Sequence, residues 1–325
     1  MARMTMRDAI KEAMREEMLR DPRVFLMGED IGLFGGVFKV TKGLWEEFGA
    51  KRIIEMPISE TAIAGAGIGA AMMGMRPIVE IMFADFLTCA MDQIVNNAAK
   101  MRYGHGGEAE VPMVIRSTFG AGTRSGMQHC QSVESWFLNV PGLKIVMPSN
   151  ASDAKGLLKS AVRDPNPVLF LEHKMLYSVW GEVPDGEALV PIGKARVARA
   201  GRDLTIVTLG SMVPKVLRVA EQLAGRGVEV EVIDLRSVYP MDTETIVESA
   251  AKTARLMIVH EAPVTGGIGA EVAAIAAKEC FGYLDAPIER VGAPYIPVPF
   301  SPTMEDYYIP GEDRILSTAS ALVGV

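Results

Sequence analysis

Short apolar runs alternate with helical repeats along this chain, and that alternation restricts its fold more than any other feature. Thr5 stands where it can cap a first helix, with Asp8 three residues on and Ala9, Ile10, Ala13, Met14 and Met18 at helical spacing. An apolar run at 23–27 stops at Gly28-Glu29-Asp30, as a buried strand ending in an acidic loop does. Residues 43–48 suit a helix and 52–56 a strand. Ser59 can cap the helix that follows, to about residue 73. Further strands are expected at 77–82, 111–117, 143–147 and 168–172, with helices at 87–102 and 151–163. Such alternation gives a parallel sheet with helices on both faces.

The pattern breaks over 178–192, SVWGEVPDGEALVPI, where Pro and Gly interrupt any period. It then restarts, with strands at 204–209, 228–233 and 256–259 and helices at 213–225, 242–252 and 268–280. A length of 325 residues suits about two domains. The expected organisation is α/β: two doubly wound domains at 1–180 and 193–325, joined by a linker at 181–192. The Pro- and Tyr-rich tail at 293–310 is expected to lie on the surface as an extended arm.

Composition excludes several classes. Hydrophobic residues make up 49% of the chain, charged residues 22%, and the net charge is -7 without a basic stripe, so nucleic acid is not an expected partner. No apolar stretch is long and unbroken enough to span a membrane, and the opening MARMTMRDAIKEAM has no signal-type apolar centre. Cys89, Cys130 and Cys280 are scattered, which argues against a disulfide framework or zinc site and suits a reducing cytoplasm.

Few motifs carry chemistry. Gly65-Ala66-Gly67-Ile68-Gly69-Ala70 fits a dinucleotide fingerprint, but its glycines fall inside a helix and do not leave a strand directly, so close helix packing is the better reading. Thr265-Gly266-Gly267-Ile268-Gly269 follows a strand and opens a helix, which suits a tight turn more than an anion site. Glu60 sits in the first turn of a helix, where the macrodipole favours a carboxylate, and Glu29 and Asp30 sit at a strand end. Carboxyl ends of parallel strands are where ligands bind. The polar, glycine-rich segment 117–131 carries His129, the side-chain type best suited to proton transfer near neutral pH. Asp164-Pro165-Asn166-Pro167 makes a turn whose exposed carbonyls suit a hard monovalent cation as well as plain turn chemistry.

These segments assemble into a resemblance. GEDI at 28–31, GGVF at 35–38, PISE at 57–60, EIMFADF at 80–86, QHCQ at 128–131, PGLK at 141–144 and RDPNP at 163–167 resemble the beta subunits of 2-oxo acid dehydrogenase decarboxylase components, a family that includes pyruvate, branched-chain and acetoin enzymes. HEAP at 260–263 and TGG at 265–267 extend the likeness, so it covers essentially the whole chain.

The resemblance implies an N-terminal pyrimidine-binding domain and a C-terminal transketolase-like domain, with thiamine diphosphate as cofactor. By it, Glu60 bonds N1′ of the aminopyrimidine and so favours the tautomer whose 4′-nitrogen takes the thiazolium proton. Phe86 packs on that ring. His129 handles protons during acyl transfer to a lipoyl group, and Glu29 lies in a channel joining paired cofactor sites. Met113, Ala161, Val162, Asp164 and Asn166 match a structural potassium site. The sequence has no G-D-G with a downstream Asn pair, so an alpha subunit is expected to hold magnesium and diphosphate in an α₂β₂ assembly. The acceptor is a lipoyl-bearing dihydrolipoyl acyltransferase. Two positions depart from the family: Cys130 stands where Ser is common, and Gly104-His105 where Met-Ser is. The wording of EIMFADF and GGVFKVTKG leans toward pyruvate or acetoin. Alternative readings are a single-chain transketolase or deoxyxylulose-phosphate synthase type of transferase, a noncatalytic scaffold subunit, and a nicotinamide oxidoreductase.

Overall fold

In the computed structural model, which describes residues 1–325, the apolar runs of the first half become β2 (Val24–Gly28), β3 (Ile53–Glu55), β4 (Arg76–Ile81), β5 (Val114–Phe119), β6 (Lys144–Val146) and β7 (Val168–His173). They pair in parallel in the order β6-β7-β5-β4-β2-β3. Helices α1 (Met6–Arg20) and α6 (Ala151–Arg163) bury Met6, Ile10, Met14, Leu157 and Leu158 in one core with Leu26, Ile78 and Phe170 of the sheet. Ile78 faces that core, so its neighbour Val79 points to the opposite face. There Gly67 of α3 (Glu60–Met72) comes so close that a Cβ on it would lie 2.7 Å from the Val79 side chain. Gly67 of the false dinucleotide fingerprint is thus a packing device, whereas Gly69 has open space around it.

Thr5 caps α1 as expected, accepting from the Asp8 amide at 3.1 Å. Ser59 occupies the cap position of α3, but its side chain makes no capping bond. The stretch read as one helix at 87–102 is three short pieces: a 3-10 segment at Ala84–Ala90, a π segment at Gln93–Ala98 and α4 (Met101–Gly104). Two further short helices are α2 (Leu44–Phe48) and α5 (Glu134–Leu138). β1 (Ala2–Thr5) pairs antiparallel with β8 (Trp180–Val183), so part of the expected linker is a strand.

Contacts divide the chain into two units, Met1–Phe119 with Trp136–Ile192, and Gly120–Ser135 with Gly193–Val325. The second unit holds a mixed sheet in the order β14-β13-β10-β11-β9. Its strands β10 (Leu204–Thr208), β11 (Val230–Asp234), β13 (Leu256–Pro263) and β14 (Glu289–Ala293) run parallel, and the edge strand β9 (Arg196–Arg199) runs antiparallel. The short β12 is Ser237–Tyr239. Helices α7 (Met212–Ala224), α8 (Thr243–Thr253), α9 (Ile268–Glu279) and α11 (Glu312–Val323) also belong to the unit.

The tail corrects the sequence expectation. It is not an extended arm throughout, because Pro302–Tyr308 is helix α10, with Glu305 and Tyr308 buried. Ser301 and Pro302 start this helix, and proline at the first helical position costs nothing because that N–H would lack a partner anyway.

Candidate active site

Glu29, Glu60 and Phe86 follow the carboxyl ends of β2, β3 and β4, which are neighbours in the first sheet. The parallel topology therefore gathers three loops at one edge, the usual place for ligands in such sheets. Glu60 opens α3, whose amide dipoles point positive at that end. Phe86 lies in the 3-10 segment, which is tied to α3 by the Thr61 hydroxyl donating to the Cys89 carbonyl at 2.6 Å. Both side chains are half-buried, which leaves each a face for a ligand. Phe83 meets Phe86 edge-on, with ring centroids 6.1 Å apart, and Phe38 meets Phe83 edge-on at 5.7 Å. Burial raises the Glu29 carboxyl above its ordinary value, with the charges of Asp30 and Glu60 adding. Glu29 and Glu60 are thus electrostatically linked.

Behind this edge lies a network that sequence reading missed. Arg116 of β5 makes two bonds to Glu172 of β7, at 2.7 and 2.8 Å, and one to Glu80 of β4 at 2.6 Å. The Tyr177 hydroxyl donates to Glu172 at 2.6 Å. All four side chains are buried. Burial works against charge on Arg116, but the Glu172 and Glu80 carboxylates outweigh it and raise its pKa. Two carboxylates share one cation, and burial pushes Glu80 up. Its only sequence signal was charge inside strands that should read as apolar.

The residues matched to a potassium site also cluster in the first unit. The carbonyls of Val162 and Asp164 accept from Arg76 at 2.7 and 3.3 Å, and that of Ala161 accepts from the Asp164 amide at 3.3 Å. The Met113 carbonyl accepts from the Val168 amide at 3.0 Å. Asp164 receives Asn166 on one oxygen and the Lys144 ammonium on the other, and Arg102 donates to the Asn166 side chain. Each backbone oxygen keeps a second lone pair for a cation, and three protein cations, Arg76, Lys144 and Arg102, already flank the turn.

His129 belongs to the second unit, in a loop whose backbone turns through left-handed conformations at Gly120, Gly122, Arg124 and Gly126. It is half-buried at the mouth of a cavity of about 570 Å³, walled by Ile296, Val298, Phe300 and Met304. Cys130 points away into a buried cluster with Ala121, Val298 and Tyr308, its sulfur 3.4 Å from the Thr123 hydroxyl. In the same unit, His260 is fully buried. Its Nδ1 lies 3.0 Å from the Ala262 carbonyl, and its Nε2 has no partner. A Cβ on Gly267, Gly269 or Gly292 would meet this ring within 3.0 Å, so the glycine run that opens α9 makes room for a histidine. Burial lowers the His260 pKa to about 4, which keeps the ring neutral.

Comparison with known proteins gives the family. Residues 2–179 match the family described as "Transketolase, pyrimidine binding domain", and residues 193–315 match "Transketolase, C-terminal domain". Over 310 residues the chain is 52% identical to the 2-oxoisovalerate dehydrogenase subunit beta of Bacillus subtilis (strain 168), with 95% of each chain covered. The chain belongs to the family of 2-oxo acid dehydrogenase beta subunits. Other members of this wider family are similar along nearly all of it. The acetoin:2,6-dichlorophenolindophenol oxidoreductase subunit beta of the same organism is 46% identical, with 98% and 97% covered. The pyruvate dehydrogenase E1 component subunit beta of Rhizobium meliloti (strain 1021) is 45% identical, with 99% of this chain and 70% of that one covered. A solved structure, "Split gene transketolase, inactive beta4 tetramer", shares the fold at a TM-score of 0.81 and 24% identity, with 99% and 98% covered. No helix of this family member is long and apolar enough to cross a membrane.

Proposed function

We propose that this chain is the beta half of a thiamine-diphosphate-dependent dehydrogenase that decarboxylates a 2-oxo acid, or cleaves acetoin, and passes the acyl group to a lipoyl-bearing acyltransferase. The observation that carries this reading is the placement of Glu60 at the positive end of α3 and of Phe86 on the 3-10 segment tied to that helix. That pair fits an aminopyrimidine: a carboxylate for a ring nitrogen and a flat apolar surface for the ring. When bound, the cofactor supplies an acidic C2–H and a cationic ring that stores negative charge. Glu60 holds a proton at N1′ of the ring and so sets the protonation of the 4′-nitrogen. Phe86 excludes water from one ring face, and the lower local dielectric strengthens the carboxylate's bond. Glu29 shares the electrostatics of Glu60 and would pass charge toward a second site. His129, at the mouth of its own apolar-walled cavity, would give and take the proton when the acyl group moves to the lipoyl sulfur.

The diphosphate and its magnesium need oxygen ligands and a motif that this sequence lacks, so an alpha subunit supplies them. A potassium ion would use the second lone pairs of the Met113, Ala161, Val162 and Asp164 carbonyls, with Asn166 bracing the turn. Relatives named for 2-oxoisovalerate, acetoin and pyruvate all align at 45–52% identity, so these three are the substrates to assay. The test is to purify this chain, titrate it with thiamine diphosphate and magnesium, and then add an alpha subunit. Tight binding and turnover of one of the three substrates should appear only with the alpha subunit. Full activity from the isolated chain would instead favour the single-chain transferase.

A further inference from the structure

The loop that carries His129 makes only long backbone bonds at its ends, from the Gly120 amide to the Gln131 carbonyl at 3.3 Å and from the His129 amide to the Gly126 carbonyl at 3.4 Å. Four of its residues between Gly120 and Gly126 have positive φ, including Arg124 at 58°, a conformation that costs a non-glycine residue energy. Such a backbone has no ladder of internal hydrogen bonds, so its amides need acceptors from elsewhere. Two carboxylates from distant parts of the same unit provide them. Glu305 of α10, whose side chain is fully buried, accepts from the Gly122 amide at 2.9 Å, the Arg124 amide at 3.3 Å and the Arg124 guanidinium at 2.7 Å. Glu261 at the end of β13 accepts from the Ala121 amide at 2.8 Å and the Ser132 hydroxyl at 3.1 Å, on the two flanks of the loop. Its other oxygen accepts from Ser211 at 2.9 Å. Asp306 takes the second arm of Arg124 at 2.7 Å.

We infer that Glu261 and Glu305 are positioning residues that fix the His129 loop for acyl transfer, an inference resting on the reading of His129 above. The two carboxylates hold the loop at Ala121, Gly122, Arg124 and Ser132, so His129 lies on a span pinned on both sides. Glu305 matches its amides only while Arg124 stays left-handed, and the ion pair to Arg124 offsets the strain of that conformation. Loss of either carboxylate leaves buried amides without acceptors, which a loop relieves by moving.

The experiment uses the complex reconstituted with alpha subunit and lipoyl acceptor. It compares Glu305→Gln and Glu261→Gln with Glu231→Gln, a buried carboxylate of the same unit whose bonds go to Gly201, Ser249 and Lys252. The two loop variants should lose acyl transfer to the lipoyl domain about 10- to 100-fold more than decarboxylation read with an artificial electron acceptor, the scale expected of a misplaced group. Glu305→Asp should restore part of the loss. Amide exchange at 121–124 should quicken in the loop variants and not in Glu231→Gln. Equal loss in both assays, or unchanged exchange in folded variants, overturns the inference. His129→Ala separates the two layers: if it shows no selective loss of acyl transfer, the reading of His129 fails while amide exchange still decides the clamp. Should the glutamate variants not assemble, Arg124→Met and wild-type exchange decide it. Amides 121 and 122 must be protected in the wild type, and Arg124→Met must reproduce the selective loss.

Discussion

Glu60 and Glu134 are both carboxyl groups near helix starts, and they differ in burial. Glu60 is half-buried past the carboxyl end of β3, and replacing it by Gln keeps its size while removing its charge. Glu60→Gln should leave folding intact and slow C2–H exchange of bound thiamine diphosphate by about 10²–10⁴-fold, the usual worth of an acid–base step; near-normal exchange, followed by NMR in deuterated buffer, would remove Glu60 from its role. Glu134 is fully buried with one oxygen unpartnered, and burial raises its pKa from the ordinary 4.5 to about 7, with Glu261 adding repulsion. The folded chain therefore holds this proton more tightly than the unfolded chain does. Stability from the neutral carboxyl is full below about 4.5 and is lost as the pH climbs toward 7. Glu134→Gln should melt increasingly above the wild type as pH rises from 5 to about 8, by up to a few kcal/mol at about 1.4 kcal/mol per unit. A difference constant across that range would show that Glu134 does not titrate there. At this scale the sequence displayed residue types and their places at strand ends, but not burial, and burial is what separates these two glutamates.

Among elements, the strands were the most readable, because a parallel strand buried on both faces is an unbroken apolar run. β2, β4 and β7 fall within a residue or two of their expected places. β1, β8 and β9 were missed, being short and half-exposed and recognisable only through the partner they pair with. α10 was missed because Pro and Tyr outweighed a helical start. The charged network of β4, β5 and β7 is the least readable part, since no local pattern joins Glu80, Arg116 and Glu172. Its energetics are nonetheless asymmetric. Arg116→Met should cost on the order of 3–5 kcal/mol in chemical denaturation, because it strands two buried carboxylates. A loss under about 1 kcal/mol would mean that those carboxylates take up protons at little cost.

For the molecule as a whole, any ligand held only by the folded state adds stability. If potassium occupies the turn after α6, the protein should melt higher in potassium than in tetramethylammonium at equal ionic strength, because a ligand held only by the folded state stabilises it. Identical melting in both salts would leave the turn to the protein's own cations, Arg76, Arg102 and Lys144. The two-domain plan was legible because hydrophobic periodicity stops and restarts near 178–192, whereas the membership of residues 120–135 in the second unit was not. That membership bears on the order of synthesis. Ala121 finds its acceptor 140 residues later and Gly122 finds its acceptor 183 residues later. On the ribosome, the histidine loop emerges long before the glutamates that pin it, so a nascent chain released early would carry a finished first sheet and an unanchored, protease-sensitive loop. The shape of this loop therefore waits on residues translated long after it.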